Sequence, residues 1–391
     1  MLEIVRTLNR IGCEAEIVAT NDNGPGLLDV PLGVRSEFQG TPVWFFPRFS
    51  PKFGPLREFA YSRELTRWLD QNMERYDLVH VHAFFSYACT AAMAMARRKK
   101  IPYLVRPLGL LCTWSLQQSA LRKKIYLAVV ERRNLNGSAG LEYTAEQEMS
   151  EAAPLRLTAP GFVLPFGLEL PLPIPDARAQ LRKLIYVSAD EPVFLFLSRL
   201  HPKKGLHLLL AALEKLAQRR FSVVVAGSGP AEYEAQVKAQ AMAGSLRGRV
   251  HFVGFAQGGH KQMLLEGADV FALTSHSESF AIAAMEALAA GTPVLISPGV
   301  PLAEIVRKFD TGWVADLNSD AIASAAARAL DAMGNAAKVE ARAGRCRALA
   351  ANFDWPCIAA RMISVYQSIL ERRHLPSFEL SQINLVAERR T

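Results

Sequence analysis

From residue 193 onward, short apolar runs alternate with longer segments of helical periodicity, and this alternation constrains the fold more than any other feature of the chain. The runs at 193–198, 221–226, 250–253 and 268–273 predict buried strands, and each is followed by a predicted helix. Alternating strands and helices favour a parallel sheet with helices on both faces. Ligands bind such sheets beyond the carboxyl ends of the strands, so we expect a functional site at that edge.

The first part of the chain alternates in the same way, which indicates a second domain of the same kind. Its strands are predicted at 14–19, 43–46, 78–82, 103–106, 140–143 and 162–164. A length of 391 residues suits two domains, and a hydrophobic content of 50% lets both bury a core. We therefore predict an α/β protein with two Rossmann-like, doubly wound domains, the first over residues 1–170 and the second over residues 171–354.

The cysteine and hydropathy patterns indicate a cytoplasmic protein. None of the five cysteines forms a Cys-x-x-Cys pair, which fits a reducing compartment better than a disulfide framework. The sequence contains no apolar run of roughly 18 residues or more, so we expect no membrane-spanning segment.

Residues 275–294 carry the most informative chemistry, because two carboxylates, Glu278 and Glu286, stand eight positions apart. A helix that begins near Glu278 would place both acids on one side, two turns apart. Gly291 would end that helix, and residues 292–296 predict a buried strand. The free amides of the first helical turn can hold a phosphate or a sugar hydroxyl. An equally good explanation of this segment alone is a solvated helix with acids at ordinary positions.

A second candidate segment, residues 198–205, lies between a predicted strand and a predicted helix. Arg199 and Lys204 flank the turn there, so two cations and the free amides of a helix start could bind a diphosphate. The alternative is a pair of loop cations in solvent. Further on, Gly229 lies in a Gly-Ser-Gly-Pro turn that allows the backbone to approach a ligand.

The 275–294 segment resembles the Glu-x7-Glu signature of retaining, GT-B-fold glycosyltransferases of glycosyltransferase family 4. The correspondence covers Glu278, Phe280, Ala281, Ile282 and Glu286. It implies that the first acid and the following amides bind the donor sugar and its phosphates, and that the second acid holds the ribose hydroxyls. The family usually has glycine at the position of Ala281, where the backbone approaches the ligand.

Two further segments of the second domain resemble the same family. Arg199 and Lys204 lie in a stretch similar to the family's Gly-Arg-Leu…Lys-Gly element. Val253, Gly254 and Phe255 resemble the segment whose backbone reads the nucleobase, although an ordinary strand-ending turn explains those three residues equally well. The resemblance also implies that the helix over 355–374 returns to the first domain, with residues 375–391 as a tail.

In the first domain the resemblance is weaker. His82 ends a predicted strand at the edge of the expected cleft, and Arg106 opens a segment similar to the family's Pro-His-Gly, with Leu108 where the family has histidine. Glu146 lies in a stretch that resembles the family's Thr-Ser-Glu. His82, Arg106 and Glu146 are therefore candidates for the acceptor or sugar site. For His82, a place in the core is an equally good explanation.

The chain begins inside an amphipathic pattern, with apolar residues at helical spacing from Leu2 to Ile11. In the family this helix follows a first strand and a Gly-rich loop whose amides touch the donor phosphate. The resemblance thus implies either a start further upstream or a shortened relative.

The net charge of +8 is concentrated in one region. Residues 91–135 hold ten Lys or Arg against one acid, Glu131. A patch of this kind attracts anionic lipid, nucleic acid or phosphorylated ligands. No nucleic-acid motif or aromatic interleaving accompanies it, which leaves a solvated helix face or an anionic membrane contact through residues 97–133.

The predicted function is transfer of a sugar from a nucleotide diphosphate sugar to a glycan or lipid-linked acceptor, with retention, in polysaccharide biosynthesis. Glu278, Arg199 and Lys204 would carry the catalytic step without a metal or other cofactor. One alternative is a non-catalytic or truncated GT-B relative that still binds nucleotide sugar. A nucleotide-sugar 2-epimerase is disfavoured, because the first domain lacks a convincing set of acid/base residues.

Overall fold

The computed structural model describes residues 1–24, 26–49, 51, 59–117, 120–378, 380, 383 and 385. The chain forms two compact units, one of Met1–Gly167 with Trp355–Glu379 and the other of Leu168–Asp354 with Leu380–Thr391. Most of the tail predicted over 375–391 lies outside the described residues.

The first unit opens with the amphipathic helix that the sequence predicts, α1 (Leu2–Arg10). Its apolar face, with Ile4, Val5 and Leu8, is buried. Among its described residues, nine strands follow: β1 (Ile17–Thr20), β2 (Asp22–Asn23), β3 (Gly26–Leu27), β4 (Arg35–Phe38), β5 (Thr41–Phe46), β6 (Val79–His82), β7 (Tyr103–Arg106), β8 (Gly140–Tyr143) and β9 (Gly161–Val163).

The strands of the first unit form two main sheets instead of one. The first has the order β1-β5-β4 and the second the order β6-β7-β8-β9. Pairing is parallel except between β4 and β5, and the short β2 and β3 form an antiparallel pair of their own. The two antiparallel pairs are absent from the sequence prediction, because β2 to β4 are short and largely exposed and so carry little hydrophobic periodicity.

The two sheets are separated by a gap between β1 and β6. All residues of both strands, together with Met1, line a cavity of about 420 Å³. A second cavity of about 760 Å³ lies against α1 and is lined by His80 and Tyr366. In the described part of the chain no strand bridges β1 and β6. Accordingly β1 is only half-buried, whereas β7 and β8 are buried throughout.

Helices cover the sheets of the first unit. They are α2 (Arg63–Asn72), α3 (Tyr87–Lys99), α4 (Thr113–Gln117), α5 (Ala120–Tyr126), α6 (Arg132–Asn136) and α7 (Glu146–Ala152). A π-helical turn at Leu127–Glu131 joins α5 to α6, so residues 120–136 form one continuous helical run. Leu127 and Leu135 of this run are buried in the core of the unit.

The second unit contains one parallel sheet of six strands in the order β12-β11-β10-β13-β14-β15. The strands are β10 (Val193–Leu197), β11 (Ser222–Ala226), β12 (Val250–Gly254), β13 (Val270–Leu273), β14 (Val294–Ile296) and β15 (Gly312–Val314). The central strands are almost completely buried and the outer ones half-buried, as expected for a sheet with helices on both faces. This agrees with the predicted alternation of strands and helices.

The helices of the second unit are α8 (Ala177–Leu184), α9 (Leu206–Glu214), α10 (Ala231–Ala243), α11 (Gly258–Gly267), α12 (Ile282–Ala289), α13 (Ala303–Lys308), α14 (Ser319–Ala332) and α15 (Ala336–Ala350). The last described helix, α16 (Trp355–Leu370), belongs to the first unit, where it packs against α1.

Candidate active site

The strand order of the second unit reverses between β10 and β13, so the loops that follow these two strands lie side by side. The amide of His276 donates a hydrogen bond to the carbonyl of Lys203 at 2.8 Å, and the Ser275 hydroxyl donates to the same carbonyl at 3.0 Å. In open parallel sheets such a reversal point forms a crevice at the carboxyl ends of the strands. The two segments that the sequence singles out, 198–205 and 275–294, therefore meet at this place.

Gly205 fixes the contact between the two loops. Its φ is +72°, and a Cβ on it would lie 1.9 Å from the carbonyl oxygen of Thr274. The Thr274 hydroxyl in turn donates to the Gly205 carbonyl at 2.8 Å. Only glycine tolerates both this conformation and this close approach. The residue thus holds the start of α9 against the end of β13.

An ion pair joins the two loops at the centre of the candidate site. Lys204 Nζ lies 2.6 Å from Oε1 and 2.7 Å from Oε2 of Glu278. The two side chains are only 16% and 9% exposed, so the pair is largely shielded from solvent. The amide of Glu278 donates to the Gly299 carbonyl at 2.9 Å, which positions the carboxylate from its own backbone.

The prediction that a helix begins near Glu278 is wrong. Helix α12 begins at Ile282, and Glu278 lies in the loop before it. The reason is Ala281, which adopts φ +65° and ψ +58°, a left-handed conformation that cannot continue a right-handed helix toward Glu278. Glu286 alone projects from α12, so the two acids do not share a helix face.

The start of α12 has the features of a helix terminus that can receive an anion. Ala281 and Phe280 are buried, and the Phe280 ring lies 6.0 Å from that of Phe353. Ile282 is exposed at the helix start. The first amides of a helix have no partner within it, so α12 presents donors and a positive dipole end in the same loop as Glu278.

Glu286 is held by a lysine that the sequence analysis does not single out. Lys261 Nζ, from α11, lies 2.7 Å from Glu286 Oε1. No local pattern connects the two residues, because they are brought together by the packing of α11 against α12. Both side chains remain partly exposed, so the pair is accessible to a ligand.

Arg199 is exposed at the end of β10 and forms no ion pair within the described residues. Beside it, the amide of Leu200 donates to the Ser228 carbonyl at 2.9 Å. A Cβ on Gly229 would lie 1.9 Å from the Leu200 carbonyl oxygen, so glycine is required by protein packing at this point. The Gly229 amide donates to Glu234 Oε1 at 2.7 Å.

The segment Val253, Gly254 and Phe255 lies at the end of β12. Gly254 has φ +73°, and its carbonyl accepts a hydrogen bond from Gly227 at 2.7 Å. Phe255 exposes most of its ring and Val253 is half-buried. The structure thus places a free aromatic surface at the same sheet edge as Arg199.

In the first unit, His82 and Arg106 end the neighbouring strands β6 and β7. Arg106 is buried, donates from Nη2 to the Leu164 carbonyl at 2.9 Å, and stacks on the Phe166 ring at 4.2 Å. Its Nε lies 3.1 Å from Glu142 Oε1. Burial lowers the pKa of His82 well below its ordinary value, and the neighbouring charges of His80 and Arg106 lower it further.

Glu142 is a buried carboxylate that belongs to none of the sequence motifs. Its Oε2 lies 3.1 Å from His80 Nε2, and His80 Nδ1 lies 2.9 Å from the Tyr366 hydroxyl. Burial raises the pKa of Glu142, but Arg106 and His80 outweigh it, so its pKa lies below the usual range. The sequence feature that could have pointed to Glu142 is a carboxylate within a predicted strand, next in order to the strand that carries Arg106.

Glu146 lies in the first turn of α7 and is half-buried. Its neighbour Glu148 makes the structural contacts of this turn, accepting hydrogen bonds from the Thr144 amide at 2.8 Å and from the Gly109 amide. Leu108, which stands at the family's histidine position, has φ +56°.

The described residues show neither a metal site nor a membrane-spanning helix. Within the described ranges, no group of three or more His, Cys, Asp or Glu side chains is arranged to hold a metal ion. Among the described helices, none combines the length and the apolar character needed to cross a bilayer.

Solved structures share this architecture along almost the whole chain. Sucrose-phosphate synthase from Thermosynechococcus elongatus superposes with a TM-score of 0.70 at 23% identity, covering 95% of this chain and 92% of that one. Anabaena HepE, in complex with UDP and glucose, gives a TM-score of 0.69 at 20% identity over 94% and 95% of the two chains. Together with the two parallel α/β units, these likenesses define the GT-B fold.

Sequence comparison identifies the family. Residues 1–167 match the glycosyl transferase 4-like domain, and residues 178–345 match glycosyl transferases group 1. The chain therefore belongs to the GT-B glycosyltransferases of the family 4 type.

Two curated relatives illustrate the range of similarity. D-inositol 3-phosphate glycosyltransferase of Xylanimonas cellulosilytica is 29% identical over 95% of this chain and 91% of its own length. An uncharacterized glycosyltransferase of Methanocaldococcus jannaschii is 33% identical over 50% of each chain, so the match spans about half the length of that relative.

Proposed function

We propose that this chain transfers a sugar from a nucleotide diphosphate sugar to a glycan or lipid-linked acceptor, with retention of the anomeric configuration, in polysaccharide biosynthesis. The observation that carries the proposal is the meeting of Lys204, Glu278 and the start of α12 at the reversal point of the second sheet. The complex of Anabaena HepE with UDP and glucose supports a donor of this class.

Each residue of the site has a role in this proposal. Arg199 and Lys204 would neutralise the departing diphosphate, and the first amides of α12 would bind its oxygens. Glu278 would orient the sugar, and Glu286, steadied by Lys261, would hold the ribose. No side chain needs to form a covalent bond, because the work consists of stabilising the leaving group and holding donor and acceptor together. We propose no metal requirement, since the cations are supplied by the protein.

Arg199→Ala tests the donor site. Each charge-assisted hydrogen bond contributes about 1.5–3 kcal/mol, so the loss of this guanidinium is expected to weaken UDP binding roughly ten- to a hundredfold. Calorimetric titration of UDP measures the effect. Arg247→Ala is the matched control, because Arg247 is also an exposed arginine of the second unit, away from the reversal point. Equal affinities of the parent and Arg199→Ala would place the diphosphate elsewhere.

A second candidate function is binding of a nucleotide sugar without transfer. The leucine at position 108 favours it, because a leucine side chain cannot donate a hydrogen bond to a ligand, whereas Lys204 and Glu278 still meet in the second unit. A parent protein that binds UDP but releases no sugar to acceptor mixtures or to water would support this second function over the first.

A further inference from the structure

We propose that the helical run 120–136 docks on an anionic phospholipid bilayer and inserts a row of apolar side chains between the headgroups. This run consists of α5, the π-helical turn and α6. The inference deepens the proposed function, on which it rests for the expectation of a lipid-linked acceptor. The contacts that carry it are independent of the donor site.

The first observation is an exposed apolar row. Leu121, Ile125 and Val129 are 75%, 56% and 76% exposed. They are four residues apart, so they lie above one another on the same face of the helix. A helix that packs on a soluble core normally turns such a stripe inward. Here the opposite side of the run already fills the core, through Leu127 and Leu135.

The second observation is the positive charge of the run that carries this row. The run carries five cations: Arg122, Lys123, Lys124, Arg132 and Arg133. Its one acid, Glu131, is completely buried and accepts hydrogen bonds from Thr90 and Asn134. In the described part of the chain, none of the five cations forms an ion pair with a carboxylate.

Three of these cations are available to a ligand. Lys123 donates to the Ser115 carbonyl and Arg132 to the Leu155 carbonyl. Arg122, Lys124 and Arg133 are exposed and make no side-chain hydrogen bond to any described residue. Free cations beside an exposed apolar row are the arrangement of a helix that lies in a membrane interface, with the cations at anionic headgroups.

The structure also shows that some cations of the basic region 97–133 are already paired and so are not available to a membrane. Arg98 forms an ion pair with Asp70, and Lys99 lies 3.7 Å from Asp70 and 3.3 Å from Glu74. These two cations are neutralised by α2 and the turn after it, so they do not belong to the docking surface. The apolar row is confined to the run 120–136 as well.

Vesicle sedimentation of the full chain, without donor or acceptor, tests the proposal. The parent is expected to bind vesicles of phosphatidylcholine with phosphatidylglycerol, and to bind less as salt is added or when phosphatidylglycerol is omitted. The triple variant Leu121→Ser, Ile125→Ser, Val129→Ser is expected to bind about a hundredfold more weakly. The triple variant Arg122→Gln, Lys124→Gln, Arg133→Gln is expected to lose about the same factor in vesicle affinity when measured at low salt.

Two control variants match these changes. Arg98→Gln with Lys99→Gln removes two cations that are already paired, and it is expected to leave binding within about twofold of the parent. Leu172→Ser with Met242→Ser removes exposed apolar side chains of the second unit, and it should also leave vesicle binding close to that of the parent. Circular dichroism and UDP titration show that each variant is folded, and they separate a failure of docking from a failure of the donor site.

Three results would overturn the proposal. One is a parent that does not sediment with anionic vesicles, or sediments equally with phosphatidylcholine alone. Another is an apolar triple variant that binds like the parent. The third is a parent that dimerises in solution through this face, with the apolar triple variant monomeric and vesicle binding unchanged, because a second copy would then be the occupant.

Discussion

At the scale of single residues, Ala281 shows how one backbone conformation shapes the candidate site. Its left-handed conformation makes α12 begin only at Ile282 and leaves Glu278 in the loop that meets Lys204. A residue with a Cβ pays a conformational penalty there that glycine does not. The candidate site is therefore built on a strained position, which the residue pattern around Glu278 does not reveal.

Ala281→Gly is expected to stabilise the second unit by about 1 kcal/mol, because it removes the left-handed penalty. Urea denaturation measures the change. Ala283→Gly, two residues further along in the first turn of α12, is the matched control and should destabilise by about 1 kcal/mol, since glycine is unfavourable within a helix. Changes of the same sign in both variants would argue against strain at Ala281.

At the scale of elements, the strands β6, β7 and β8 share a polar cluster of His80, His82 and the buried pair Arg106 and Glu142. Tyr366 of α16 closes it with a hydrogen bond to His80, and burial strongly raises the pKa of that tyrosine. The cluster ties α16 to the sheet through polar contacts. Its charge state consequently links the stability of the first unit to pH.

His82 should make this unit less stable in mild acid. Its pKa in the folded protein is far below its value of about 6.5 in the unfolded chain, so below about pH 6.5 the unfolded chain binds the extra proton. Through this group, the free energy of unfolding should then fall by up to about 1.4 kcal/mol for each unit by which the pH is lowered below that value. The lowered pKa of Glu142 acts in a separate window: its contribution is present above about pH 4.5 and is lost as pH falls further.

Denaturation of the parent and of His82→Gln between about pH 5 and 7 measures this effect, in the window set by the ordinary histidine pKa. The variant should have a flatter pH dependence, whatever its absolute stability. His260→Gln, at an exposed histidine of the second unit, is the control and should keep the slope of the parent. If His82→Gln keeps the parent's slope of unfolding free energy against pH, the histidine titrates alike in the folded and unfolded states.

The elements also show which parts of the fold the sequence can predict. Five of the six strands of the second unit are predicted by the sequence, because apolar runs separated by helices give a strong pattern. The sixth, β15, is not predicted, because its three residues are too few to show a pattern. The partners Lys261–Glu286 and Arg106–Glu142 were not predicted, because each pair joins separate elements through tertiary packing. The short antiparallel pairs of the first unit were missed for lack of periodicity.

At the scale of the whole molecule, the two units differ in completeness of their sheets. The second has one continuous sheet, whereas the first is divided between β1 and β6 by a cavity of about 420 Å³. Met1, just before α1, lines this cavity, so a strand that leads into α1 could enter it. The division leaves backbone groups of β1 and β6 without partners in a parallel ladder among the described residues.

An engineered extension tests this geometry. About five apolar residues and a glycine-containing turn, joined ahead of Met1, are expected to pair with β1 and β6. The melting temperature should rise by about 2–4 °C for each kcal/mol gained. An extension of equal length with prolines at alternate strand positions is the control, since proline cannot donate to the ladder. Equal melting temperatures of the two extended proteins would show that the cavity does not accept a strand.

The gap between β1 and β6 also affects how copies of the protein interact with one another. Two facing open edges offer a template to any extended peptide, including a strand from another copy that is transiently unfolded. Exchange of strands between copies would be a bimolecular process, so its rate would increase with protein concentration and with time spent near the melting temperature. Solubility during expression and storage is thereby coupled to whether the edges of β1 and β6 are paired, and aggregation follows wherever both edges stay exposed.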